Sequence, residues 1–378
     1  MKTAMSSSPA VNLHNNISEP RSVSFTSGGN IERVDARNFQ TEIVALFAAS
    51  GNPQFASQFD WYYRDRGQET PISWILRDRK GNVSGLCSVT LRSLRFGSTE
   101  VRAGIAGNLT MDPGRGMYLG AFSLVRAMKS LVDSNEIDVL IGVPNQLAQP
   151  VFSRLNFKVI DSWTTQVQVR KSWDLLKFHL GLAGGMASPF VDLYAGARRA
   201  ISHWNEVESS NFQAIELSEG ELSALRLEDW ASPWERFVMN ASSEYLKWRF
   251  LRDPLRQFSI IAVTNPKCEV CGYLVLRHMP GRIWVADCGV DHGRLSETSA
   301  ILCLCRDPKL DDNTVWITSL RSSPLAAELE YYGLFRVRPS RGGYPDYPLV
   351  GYWRPDHPLA SAFAQPTSWR LFPGSNDV

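Results

Sequence analysis

The chain has 378 residues, of which 44% are hydrophobic and 21% charged, with a formal net charge of +2. That length suits two domains better than one core, and the composition is ordinary for a globular protein. The near-neutral balance gives no global pull toward nucleic acid or an anionic membrane, no apolar run is long enough to span a bilayer, and six irregularly spaced cysteines suit a reducing, cytoplasmic setting.

In chain order, residues 1–21 are polar and lack an apolar centre, so they read as a disordered leader rather than a secretory signal. Residues 31–34 predict a strand, 36–49 a helix, and the aromatic-rich 54–66 a second helix. Two strands, 72–77 and 83–95, flank the turn Asp78-Arg79-Lys80-Gly81-Asn82. An alternating strand over 101–111 then enters a glycine-rich turn, Asp112-Pro113-Gly114-Arg115-Gly116, and an amphipathic helix follows through Leu119, Phe122, Leu124, Ala127, Met128 and Leu131. Residues 139–143 predict a further strand, Asn145 opens a short helix, and 163–170 alternates as a closing strand. Residues 171–208 are rich in Gly, Ala and aromatics; they read as a helical connector, with a membrane-lying segment as the alternative.

A strand that hands a glycine-rich turn to a helix N-terminus presents unbonded N–H groups to an anion such as a phosphate or pyrophosphate. The spacing fits neither common phosphate loop. No Lys-Ser/Thr follows the glycines, and Gly114, Gly116 and Gly120 run one residue too long for G-x-G-x-x-G.

The second half repeats the first. At an offset of 187, Trp61 falls on Trp248, Tyr63 on Phe250, Asp78 on Asn265 and Gly85 on Gly272. At 178, Asn145, Ala148, Val151 and Phe157 fall on Ser323, Ala326, Leu329 and Phe335. The missing residues are expected where the first half has its glycine-rich turn, since His292-Gly293-Arg294-Leu295-Ser296 carries no R-x-x-G-x-G.

Two stretches together resemble the GNAT N-acetyltransferase superfamily. Its turn motif is R/Q-x-x-G-x-G/A, and Arg115-Gly116-Met117-Tyr118-Leu119-Gly120 follows it with Tyr118 in place of the middle glycine. Its later motif, N-x-x-A-x-x-(apolar)-Y-x-x-x-G-F, is matched by Asn145, Ala148, Val151 and Phe157, with Phe152 for the tyrosine and Asn156 for the glycine. The resemblance covers about residues 72–170. It implies a mixed α/β fold of two tandem GNAT-like domains, 22–172 and 211–378, joined by a helical connector over 173–210. Each would be a central mixed sheet flanked by helices, the second lacking the pyrophosphate loop. The Tyr245-Leu246-Lys247-Trp248-Arg249-Phe250 phrase and the tandem layout look most like acyltransferases associated with bacterial polysaccharide biosynthesis.

The chemistry so implied is direct attack of an amine on the thioester of acetyl-CoA or another acyl-CoA, with no metal and no covalent enzyme intermediate. Leu109, Thr110, Met111, Arg115, Gly116, Met117, Tyr118, Leu119, Gly120, Asn145 and Phe152 would line the cofactor site. Tyr118 stands in for the missing acid, and Asp287, a lone acid in an apolar strand, is the candidate base. The acceptor would be a small-molecule amine, with amino sugars among the candidates. An aminoacyl-tRNA-dependent transferase of the peptidoglycan-bridge type and a non-catalytic binding protein are the alternatives. Cys268, Cys271, Cys303 and Cys305 could instead be zinc ligands, but the repeat puts the first two in an ordinary hairpin turn. Arg249, Arg252 and Arg256 read as a solvated face or an anion contact, and Asp60 and Glu244 as surface acids.

Overall fold

Period-two apolar stretches supply the strands of a single mixed sheet in the computed structural model, which describes residues 23–24, 30–65, 70–113, 117–169, 188–201, 211–227, 230, 235–310, 314–337 and 347–375. The first half runs β1 (Val23–Ser24), β2 (Asn30–Val34), α1 (Gln40–Ala49), α2 (Gln54–Ser57), α3 (Phe59–Tyr63), β3 (Ile72–Arg77), β4 (Val83–Phe96), β5 (Thr99–Met111), α4 (Met117–Asp133), β6 (Val139–Gly142), α5 (Gln149–Arg154) and β7 (Lys158–Gln168). Helix α6 (Ser188–Ile201) lies in the connector. The second half runs β8 (Gln213–Glu216), α7 (Glu219–Ser223), β9 (Phe237–Met239), α8 (Ser243–Leu246), β10 (Phe258–Thr264), β11 (Val270–Met279), β12 (Arg282–Val290), α9 (Glu297–Arg306), β13 (Thr314–Leu320), α10 (Pro324–Tyr331), β14 (Phe335–Val337), β15 (Pro348–Trp353), α11 (Ala360–Phe363) and β16 (Trp369–Arg370). The expected helix over 54–66 is two short ones, interrupted at Gln58. The leader and residues 170–187 and 202–210 of the connector lie outside the described residues.

The duplication is written in the hydrogen bonds. Trp61 Nε1 donates to the carbonyl of Trp248, Trp248 Nε1 donates to the carbonyl of Trp61, each at 2.8 Å, and the two indoles stack at 5.0 Å. Such reciprocity is the mark of a two-fold relation between two copies of one motif. The turns agree as well: Lys80 N and Asn82 N donate to Asp78 Oδ1, and Lys267 N and Glu269 N to Asn265 Oδ1.

The length difference lies elsewhere than expected. Ser84 O accepts from Asp112 N, and Cys271 O accepts from Asp291 N. The offset is therefore 187 at the first pair and already 179 at the second (291 minus 112). The β11–β12 hairpin, not the glycine-rich turn, is the shortened part. The longer β4–β5 hairpin reaches out to the other half, where Leu94, Arg95 and Phe96 pair with β9.

Each half also gives a late strand to the other, β7 from the first and β15 from the second. Residues 163–168 of β7 pair with β13, while residues 158–162 of the same strand pair with β15. Strand β15, from the second half, in turn pairs with β6 of the first. One apolar core spans both halves, with Phe47, Phe59, Trp61 and Tyr63 from the first and Tyr245, Trp248, Phe250 and Tyr273 from the second. Two further cores lie under α4 and α9.

Candidate functional site

The first half opens between β5 and β6. These strands pair in parallel only from Ala103 to Ile105, against Val139 to Ile141. Beyond that β5 runs on to Met111 while β6 ends at Gly142. Among the described residues no strand pairs with that edge of β5 past Ile105, so its backbone groups face the gap. At the root of the gap, a Cβ on Gly142 would lie 3.3 Å from Ala106 Cβ and 3.5 Å from the Phe152 ring.

Opposite Cys87, β5 carries two residues, Asn108 and Leu109, which make a bulge. Asn108 has φ 51°, a left-handed value that Asn tolerates better than most side chains. Its Nδ2 donates to Tyr63 Oη at 3.1 Å; Tyr63 Oη bonds Ser88 Oγ at 3.0 Å, and Ser88 Oγ bonds Ser73 Oγ at 3.0 Å. Tyr62 Oη meets Thr90 Oγ1 at 3.0 Å. Burial pushes the Tyr63 phenol well above its ordinary pKa, so it stays protonated. This array borders a pocket between α1–α3 and the bulge, partly open to solvent and walled by aromatic rings with Gln58, Asn108 and Arg256. Arg256 comes from the second half and pairs with the buried Asp253 carboxylate at 3.5 Å.

The second half has lost this array. At the offsets already given, Tyr63, Ser88 and Ser73 correspond to Phe250, Val275 and Ile260, all buried. Asn108 corresponds to Asp287, which is buried. Asp287 accepts from Tyr273 Oη at 3.3 Å and from Cys288 N at 3.0 Å; burial raises its pKa against those bonds and against Arg370 and Arg92. The candidate base is thus not a wall of the first-half cavity. Its site is the pseudo-equivalent one in the other half.

The other expected residues divide as follows. Gly114, Arg115 and Gly116 lie outside the described residues, and Met117 opens α4. Thr110 and Met111 are buried at the end of β5 and Leu109 is partly so. Tyr118 is 38% exposed on the first turn of α4, 5.0 Å below the Arg154 guanidinium of α5; Leu119 is exposed. Gly120 faces the core: a Cβ there would lie 2.4 Å from Met111 Cε and 2.8 Å from Leu76 Cδ2, with no left-handed backbone at this position. Asn145 Oδ1 accepts from the N–H groups of Leu147 and Ala148, a turn that leads into α5. Phe152 is buried edge-on to Phe157.

Arg249 is not on a solvated face. It is buried over the Trp61 ring and 3.6 Å from Asp253, whereas Arg252 is exposed and pairs with Glu219. Asp60 and Glu244 are exposed in local ion pairs. Among the described residues no three His, Cys, Asp or Glu side chains assemble to hold a metal ion, and no helix is long and apolar enough to cross a membrane. Sequence reasoning missed Asn108, Tyr63, Ser73 and Ser88. For Ser73, Ser88 and Asn108 the signal was polar residues at inward positions of otherwise apolar strands; for Tyr63 it was a tyrosine in the aromatic-rich helical stretch.

Against known proteins, no family model matches the chain, and no curated protein matches it by sequence. Solved structures do. A probable N-acyltransferase from Enterococcus faecalis superposes with a TM-score of 0.62 at 8% identity, over 86% of this chain and 72% of that one. The fold is that of the GCN5-related N-acetyltransferases. A protein of that name from Anabaena variabilis gives 0.53 at 10% identity, over 85% of this chain and 72% of that one. Eis1 from Mycobacterium abscessus gives 0.54 at 14%, over 85% and 73%.

Proposed function

We propose that the chain transfers an acyl group from acetyl-CoA or another acyl-CoA to a small-molecule amine, using the first half alone for the cofactor. The observation that carries this reading is the asymmetry between the halves. The first keeps a bonded polar array at a bulge beside parted strands, open to a cavity; the second replaces that array with Phe250, Val275 and Ile260. In the second half the corresponding gap is filled. Leu371 packs into the core against the first-half sheet and Phe372 into the α9 core, so the C-terminal segment threads between them. A Cβ on Gly374 would lie 2.6 Å from Ala286 O.

On this reading the free edge of Leu109 to Met111 bonds the pantetheine amides, and the turn over 114–116 with the α4 N-terminus holds the pyrophosphate. The thioester supplies the acyl group. The chain positions its carbonyl at the bulge, where the parted backbone and Asn108 offer donors. The described cavity walls contain no Asp, Glu or His. Desolvation and the nearby Arg256 guanidinium disfavour an ammonium ion, so a bound amine attacks neutral and releases its proton to solvent as the amide forms. Tyr118 is the proposed proton donor to the departing thiolate. Calorimetric titration with CoA tests the cofactor assignment: one site per chain is expected, and two equivalent sites or none would overturn it.

A further inference from the structure

The polar array at the bulge has a fixed direction. Ser73 Oγ donates to the Pro71 carbonyl at 3.3 Å, and a carbonyl can only accept. A hydroxyl carries one proton, so Ser73 accepts from Ser88, Ser88 from Tyr63, and Tyr63 from Asn108. Running the chain the other way would break the Pro71 bond among residues sealed from water: Ser73 and Ser88 are 0% exposed and Tyr63 is 1% exposed. Of the Asn108 amide only Nδ2 can donate to Tyr63, which settles how that side chain is turned.

This orientation divides the amide. Nδ2 faces the hydroxyl chain, and Oδ1, on the opposite arm of the same planar group, faces away from it. Asn108 is half-buried and forms part of the wall of the first-half pocket. Among the described residues Oδ1 takes no bond, yet it is not sealed from solvent. The second half has no counterpart: Val275 and Ile260 replace the serines, and Asp287 is buried.

We propose that Asn108 Oδ1 accepts an N–H of the acyl acceptor, and that this acceptor is a primary amine on an aromatic or apolar body. The proposal rests on the acyltransferase reading and narrows it. The body lies against the rings of Phe47, Phe55, Phe59 and Trp61. Attack forms the C–N bond and breaks the C–S bond; one amine proton passes to solvent, and the thiolate takes one through Tyr118. A primary amine has two N–H groups, so one can leave while the other stays on Oδ1 from substrate to amide product. As the nitrogen shares its lone pair it becomes positive, and the N–H bond to Oδ1 strengthens toward the transition state. A secondary amine must give up the one N–H that Oδ1 would hold, and an alcohol its one O–H. Ser73 and Ser88 are positioning residues, which act by holding Tyr63 and through it Asn108.

The test follows thiol release from acetyl-CoA by the full chain with phenethylamine, N-methylphenethylamine or 2-phenylethanol as acceptor, and measures CoA affinity calorimetrically in parallel. Only phenethylamine should accelerate release. Ser88→Ala frees the Tyr63 O–H to turn toward Oδ1, so kcat/KM for phenethylamine should fall about tenfold, the size expected for one lost hydrogen bond, with CoA affinity unchanged. Ser88→Thr, which keeps the hydroxyl, should restore the rate. Tyr63→Phe should give the same loss and serves where Ser88→Ala does not fold. The proposal is overturned if N-methylphenethylamine reacts as fast as phenethylamine, if millimolar phenethylamine gives no release from a chain that binds CoA, or if folded Ser88→Ala or Tyr63→Phe turns over like the parent. Each of these outcomes leaves the acyltransferase reading standing; a chain that binds no CoA sinks that reading and this one with it.

Discussion

Asn108 joins two unusual properties, a left-handed backbone and a side-chain bond to a buried phenol. Asn108→Ala removes the donor to Tyr63 and puts a less tolerant residue at that φ, so a loss of about 1–3 kcal/mol in a denaturant titration is expected. Acyl transfer should fall at least tenfold; an unchanged rate would remove the bulge from the mechanism. The two glycines of the turn motif should behave differently. Gly116→Asp is expected to leave the melt intact and weaken acyl-CoA binding by roughly a hundredfold, through charge repulsion and a blocked approach to the pyrophosphate. Gly120→Ala should instead cost about 1–3 kcal/mol of stability, because its Cβ would meet Met111 and Leu76. His292 sets a pH dependence. Burial and the Arg370 charge depress its pKa from 6.5 to about 4. The unfolded chain therefore binds the extra proton first, and this contribution to stability is full above about 6.5 and lost as pH falls toward 4. His292→Asn should flatten the stability profile across that window relative to the parent.

Among the elements, α3 and the Trp248 turn hold the halves together through one reciprocal contact. The indole stack and the two N–H bonds share both partners, so they cannot be lost independently. A double-mutant cycle with Trp61→Phe and Trp248→Phe should show a coupling of about 0.5–3 kcal/mol. Additive losses would mean that the pair contributes only as two separate side chains. Strand β5 shows how one element serves both fold and site. From Ala103 to Ile105 it is an inner strand of the sheet; from Ala106 it keeps only its β4 partner and turns its other edge to the gap.

At the scale of the molecule, strand exchange makes the halves interdependent. Without β15, strand β6 keeps only its β5 neighbour, and without β13 and β14 residues 163–168 of β7 lose their partners from the second half. A fragment of residues 1–172 would also expose the Trp61, Phe47 and Phe59 face of the shared core. It is expected to lack a cooperative thermal transition, measured by circular dichroism; a sharp melt near that of the full chain would overturn this. The same interdependence gives the second half a reason to persist without the polar array. It supplies β15, Arg256 at the cavity rim, and half of the shared core.

The sequence by itself determined what is local or periodic. Alternating apolar residues marked the strands, glycine and Asn marked the hairpin turns, and the recurrence of Trp61 at Trp248 marked the duplication, because each depends on neighbours within one element or on a repeated pattern. The GNAT resemblance likewise rested on two short motifs flanking the β5–β6 gap. Tertiary structure alone decided what depends on contacts between distant segments. The path of β7 into the other half cannot be read from its alternation, since either sheet would satisfy its backbone. Asp287 reads as a candidate base because an acid in an apolar strand is unusual; of the groups that set its environment, Tyr273 lies on the neighbouring strand of its own hairpin, whereas Arg370 and Arg92 come from distant segments. Asn108, Ser73, Ser88 and Tyr63 are unremarkable one by one. Folding brings three strands and a helix together, and only then do they form one bonded array at an open cavity.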